Sequence, residues 1–192
     1  MPRYQHISHI DTRWEKYKSE FTVIFTDWTS WPMDNDHGLE LRKLLGQQLG
    51  PSDWLCVDQS MISDFGRTTL DPDPLHIDPE WAKVNGPYGG TIAFGFLTVA
   101  LLTKLLHSAT ETTVHVDPMK TGLFLNYGFD RMRLISPVKV DSHVRGQFAL
   151  VNLDVDKKGR FIATFDCTIE IKGEARPALS AQWLTIWIPP AP

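Results

Sequence analysis

Apolar residues crowd one stretch of this chain far more densely than any other. Residues 91–107 read TIAFGFLTVALLTKLLH, apolar nearly all round, which predicts a long helix buried in a core. The run lacks 18 uninterrupted apolar residues and carries Thr98, Thr103 and Lys104, so it is not a membrane span. After it the pattern turns to β. Residues 122–135, 143–156, 161–171 and 176–188 read as strands, with turn signals at Lys157-Lys158-Gly159-Arg160 and Lys172-Gly173-Glu174. Before it the signals are shorter. Leucines at 39, 41, 44, 45 and 49 predict an amphipathic helix over 37–49, ended by Gly50 and Pro51. Leu55-Cys56-Val57 predicts a short strand, 60–67 a helix with Ser60 as N-cap, and 79–83 a helical turn. Residues 11–21 predict a further short helix and 28–36 a turn-rich link. A helix followed by long antiparallel strands gives an α+β class, with residues 1–50 as an N-terminal extension and 51–192 as the main domain. Trp14, Trp28 and Trp31 are costly to expose, so the extension is expected to pack on the core or on a second subunit.

Candidate chemistry sits just before the long helix. Asp71-Pro72-Asp73-Pro74-Leu75-His76 is stiffened by proline. On a helix, Asp71 and His76 would stand about 140° apart; on a strand they would face opposite sides. A bent loop is the expected form, and there a carboxylate and an imidazole can converge. Histidine titrates nearest neutrality and suits proton transfer. Taken alone, the loop is equally well read as two turn-forming aspartates and a satisfied histidine. Gly89-Gly90-Thr91 then leaves backbone N–H groups open at the expected start of the helix, at the positive end of its dipole. Gly95 inside the helix points to close approach by a strand or by a ligand.

These residues resemble the MaoC-like dehydratase family, also called the (R)-specific enoyl-CoA hydratase or hydratase 2 family. Its loop reads Asp-x-Asn-Pro-Leu-His, then Asp-Pro, then a Gly-Gly-Thr-Ile-Ala-His-Gly-like segment. Here the loop is Asp71 to His76 with Asp78-Pro79, and the segment is Gly89-Gly90-Thr91-Ile92-Ala93-Phe94-Gly95. Asn126 to Arg133 and Ser136-Pro137-Val138 resemble the strand that follows. The likeness covers residues 52–156 best. It implies a hot-dog fold, a long central helix wrapped by an antiparallel sheet. It also implies hydration of trans-2-enoyl thioesters or the reverse dehydration, with no metal and no organic cofactor. By position it makes Asp71 and His76 the catalytic dyad, and Gly95 the donor that polarises the thioester carbonyl. Gly90, Asp73 and Phe94 complete the expected substrate-binding set. Two positions depart from the pattern. Asp73 stands where Asn is usual and adds a negative charge beside Asp71. Phe94 replaces a His and is expected to narrow or dry the pocket. The implied partners are an acyl-CoA or acyl-carrier thioester and a second copy of the chain, as at least a homodimer. A hot-dog thioesterase and a non-catalytic acyl-thioester binder are the alternative functions.

Composition narrows the rest. The chain of 192 residues is 42% hydrophobic and 22% charged, enough for one full core. A formal net charge of −4 argues against general nucleic-acid binding. Two cysteines, Cys56 and Cys167, and no signal-peptide pattern lead to an expected cytoplasmic location. Gly-x-Ser-x-Gly, Walker and Gly-x-Gly-x-x-Gly motifs are absent. His6-x-x-His9 and His76-Ile77-Asp78 do not complete a metal-ligand set. Arg131, Arg133 and the basic turn at 157–160 are the basic candidates for CoA phosphates.

Overall fold

Four long segments rich in apolar residues together build one sheet. The computed structural model describes residues 41–110, 123–157 and 160–188. In chain order these hold β1 (Gln48–Leu49), β2 (Leu55–Val57), α1 (Gln59–Thr69), α2 (Pro74–Ile77), α3 (Pro79–Asn85) and α4 (Gly95–Ala109). Four strands follow: β3 (Leu123–Leu134), β4 (Ser142–Val155), β5 (Phe161–Ile171) and β6 (Leu179–Ile188). The sheet has six strands in the order β1-β4-β5-β6-β3, with β2 also on β4, and its strand pairs are antiparallel. The helix wrapped by an antiparallel sheet is the hot-dog arrangement.

Alternation along β5 shows how the sheet sorts its faces. Phe161, Ala163, Phe165, Cys167, Ile169 and Ile171 are buried, while Asp166 between them is exposed. The buried set continues on β6 through Leu179, Ala181, Trp183 and Trp187. Against it lie Leu97, Leu102 and Leu105 of α4. Gly146 lets α4 come close to β4, since a β-carbon there would stand 2.9 Å from Leu105 Cβ and 2.6 Å from the Phe148 ring. At the other edge β3 pairs, among the described residues, with β6 alone and exposes Phe124, Leu125, Tyr127 and Phe129.

The expected strands from 143 onward fall within a few residues of β4, β5 and β6. The expected helix over 37–49 is shorter: among its described residues 41–43 are helical, but Gln48–Leu49 are β1 and Leu45 bridges Leu150. Pairing with β4 outweighs the leucine periodicity there. The central helix starts at Gly95, not at Thr91. Ala93 N–H donates to Val138 O at 2.7 Å and Val140 N–H to Thr91 O at 3.0 Å, so 91–93 is extended chain held by the loop before β4. Helix α1 starts from Asp58, whose carboxylate accepts Met61 N–H at 2.8 Å, with Ser60 inside the helix. The readings over 11–21 and 28–36 lie outside the described residues.

Candidate active site

Asp71 follows directly from the way α1 ends. Leu70 closes that helix in the left-handed region, φ 59°, and Asp71 N–H donates to Gly66 O at 2.9 Å. The segment after it is not an open loop. Asp73 is the N-cap of α2, its carboxylate accepting Leu75 N–H at 2.9 Å, and Pro74 takes the first helical position. Proline costs nothing there because that N–H has no helical partner. Asp78 and Pro79 repeat the device at α3. His76 therefore sits on one short turn of helix, a local form that the spacing argument for long elements did not foresee.

The imidazole is fixed from two sides. His76 Nδ1 lies 2.7 Å from Ile92 O. A carbonyl only accepts, so Nδ1 carries the hydrogen and the neutral ring keeps its lone pair on Nε2. Behind the ring lies Phe94, with centroids 3.9 Å apart and planes at 32°, and Phe65 stands 5.3 Å beyond Phe94. Phe94 is 5% exposed. It backs the histidine as part of the core and does not form an open pocket wall.

Asp71 is exposed and His76 half-buried. One oxygen of the Asp71 carboxylate accepts Asp73 N–H at 3.2 Å. Among the described residues no hydrogen bond joins Asp71 to His76, which leaves the second carboxylate oxygen and Nε2 free to hold a third party. Asp73 spends its charge on capping, so it is a structural residue of the loop as well as a second negative group.

Gly95 opens α4 with no side-chain cap. The first intrahelical bond is Thr98 N–H to Phe94 O at 3.1 Å, so the N–H groups of residues 95–97 precede the ladder. They occupy the positive end of the helix. These donors, and not those of Gly89 or Gly90, are the ones at the helix start. Gly89 has φ 74° and serves the turn, and Gly90 has open space around its Cα. Basic side chains do not gather at the dyad. Arg131 and Arg133 line an open groove of about 860 Å³ with Asp166 and Gln182, on the other face of the sheet. Arg160 pairs with Asp156 at 2.6 Å. Among the described residues no cluster of three or more metal-ligating side chains occurs.

Sequence reasoning missed Gln59, Thr91 and Gly66. Gln59 Nε2 donates to His76 O at 2.9 Å, and its Oε1 accepts the hydroxyl of Thr91, which is 1% exposed. This amide ties the start of α1 to the histidine turn and to the extended segment at once. Gly66 faces the Asp71 carbonyl, Ile77 and Phe94, each 3.0 Å from where its β-carbon would be. A polar pair with long sequence separation leaves no local signal; Gly66, in the interior of a helical pattern, was the one readable hint.

The sequence matches the MaoC-like domain over residues 40–169. The chain belongs to the MaoC-like dehydratase family. It is 43% identical over 142 residues to nodulation protein N of Rhizobium leguminosarum bv. viciae, covering 74% of this chain and 85% of that protein. It is 36% identical over 149 residues to 3-hydroxyacyl-thioester dehydratase Z of Mycobacterium tuberculosis, covering 78% and 94%. The fold of this MaoC-like chain recurs in solved structures. A MaoC-like dehydratase from Rhodospirillum rubrum superposes with TM-score 0.60 at 19% identity, over 79% of this chain and 97% of that one. The (R)-hydratase of A. caviae involved in PHA biosynthesis gives 0.55 at 21%, over 73% and 94%.

Proposed function

We propose that this MaoC-like protein is an (R)-specific enoyl-CoA hydratase or 3-hydroxyacyl-thioester dehydratase. The observation that carries the reading is the His76 imidazole. Its Nδ1 is committed to Ile92 O, so Nε2 is left to act as a base. The resemblance to dehydratase Z supports the thioester substrate class.

In this reading a water sits between the free Asp71 oxygen and His76 Nε2. Nε2 takes a proton as the water oxygen bonds to the β-carbon of the enoyl thioester. The electrons of the double bond move toward the thioester oxygen, where Gly95 N–H meets the developing charge. The proton then passes to the α-carbon, so water is added whole. Dehydration runs the same steps backward. Gly90 and Asp73 shape the approach to the site, and Phe94 holds the imidazole from behind. The substrate is an acyl-CoA or an acyl-carrier thioester. The working unit is at least a homodimer built on the exposed β3 edge.

Enoyl absorbance of crotonyl-CoA is the test. Purified protein is expected to consume it. His76→Ala and Asp71→Asn are each expected to slow it by roughly 10²–10⁴-fold with circular dichroism unchanged. Near-parent rates in both variants would remove the dyad. Release of free thiol from a saturated acyl-CoA, with enoyl absorbance untouched, would favour a thioesterase instead.

A further inference from the structure

Among the described residues, Leu134 crowds the helix start where the thioester is proposed to bind. A β-carbon on Gly95 would overlap Leu134 Cδ1, with Leu134 Cγ and Cδ2 next at 3.7 and 3.9 Å. Among the described residues, the three atoms nearest to that point from outside the helix all belong to Leu134. Leu134 ends β3, and its backbone is firmly placed. It pairs with Leu179, which is fully buried, and Ile135 N–H donates to Ala178 O at 2.8 Å. The side chain itself is 50% exposed, so the core does not need it. A half-exposed leucine thus leans on an uncapped helix start.

We propose that Leu134 sets how much bulk the substrate carries on the carbon next to its thioester carbonyl. The proposal rests on the reading of Gly95 as carbonyl donor. An oxygen accepting from Gly95 N–H lies about 2.9 Å from that nitrogen. That N–H sits on the same Cα that Leu134 crowds, so in this proposal the substituents next to the bound carbonyl are the ones that meet the leucine. A hydrogen on the α-carbon passes; a methyl group meets the leucine. The favoured substrates are therefore straight at that carbon, and 2-methyl-branched enoyl thioesters are discriminated against.

The test compares crotonyl-CoA with (E)-2-methylcrotonyl-CoA in the parent protein, Leu134→Ala and Leu134→Phe. A single methyl in an apolar site changes selectivity by roughly 10–200-fold. Leu134→Ala is expected to raise the ratio of kcat/KM, branched over straight, by about 10-fold or more, and Leu134→Phe to lower it. Calorimetric binding of butyryl-CoA and 2-methylbutyryl-CoA to the same three proteins provides a readout independent of turnover. A shifted binding ratio without turnover would sustain Leu134 as the limit on bulk and sink the hydratase. Ratios unchanged in both variants, or no binding of either thioester, would overturn the role of Leu134.

Discussion

In the proposed hydratase, His76 shows what a single side chain needs before it can work as a base. It needs one nitrogen committed, its ring immobilised and its backbone anchored, and Ile92, Phe94 and Gln59 supply these in turn. Gln59→Ala is expected to lower kcat by about 10-fold or more with KM little changed, because it loosens the turn without touching substrate; rescue by Gln59→Asn would argue against a need for reach. Steady-state kinetics on crotonyl-CoA decide it. Cys167 makes the opposite case. Burial, and then the charge of Asp166, push its thiol up to about 12. A thiol kept protonated in the fold stabilises it fully below the unfolded value near 9, and that contribution fades as pH rises through about 12. At pH 8 a thiol reagent should label the part-exposed Cys56 first and reach Cys167 only after denaturation; fast double labelling of native protein would contradict this.

Caps decide the elements around the site. Asp58, Asp73 and Asp78 each start a helix, so three acidic residues in a short span are punctuation first. Leu70 is the weak joint. It holds φ 59° while 86% exposed, a strained geometry for leucine with no burial in return. Leu70→Gly is expected to stabilise the protein by about 1 kcal/mol, seen as a raised Tm. Gly95→Ala is expected to be destabilising through its clash with Leu134, and Leu134→Ala in the same chain to relieve part of that loss, a coupling that thermal melts of the four proteins measure. Strand elements were legible because β5 alternates so regularly that its ends could be read from side-chain character alone. Asp71 and His76 were legible as a motif. What was not legible was the conformation between them. Pro72 and Pro74 were read as breakers, yet Pro74 is a helix starter once Asp73 caps it. The early start assigned to α4 failed for a similar reason: Thr91, Ile92 and Ala93 look helical by hydropathy, and only a distant partner, Val138 to Val140, makes them extended.

At the scale of the molecule the outstanding feature is an edge. β3 is twelve residues long, pairs on one side only among the described residues, and exposes Phe124, Leu125, Tyr127 and Phe129. A strand of that kind invites a partner strand. Phe96, 72% exposed beside Gly95, adds apolar surface at the site itself. Light scattering at micromolar concentration is expected to give at least the dimer mass, and Leu125→Asp with Phe129→Asp to reduce it to the monomer. A parent protein of monomeric mass would discard the expectation. Among the described residues no helix is long and apolar enough to cross a membrane.

Ile92 grips both halves of the molecule. Its N–H donates to Leu75 O at 3.3 Å and its carbonyl holds His76, while the residue itself bridges Lys139 across the chain. Histidine and sheet are thus soldered together through one peptide unit, and the solder sets only when segments remote in sequence have met. During refolding, helical circular dichroism should recover ahead of catalysis, because local helices form before non-local pairings. Activity in this protein is a late clock, one that starts only after the last long-range contact has closed.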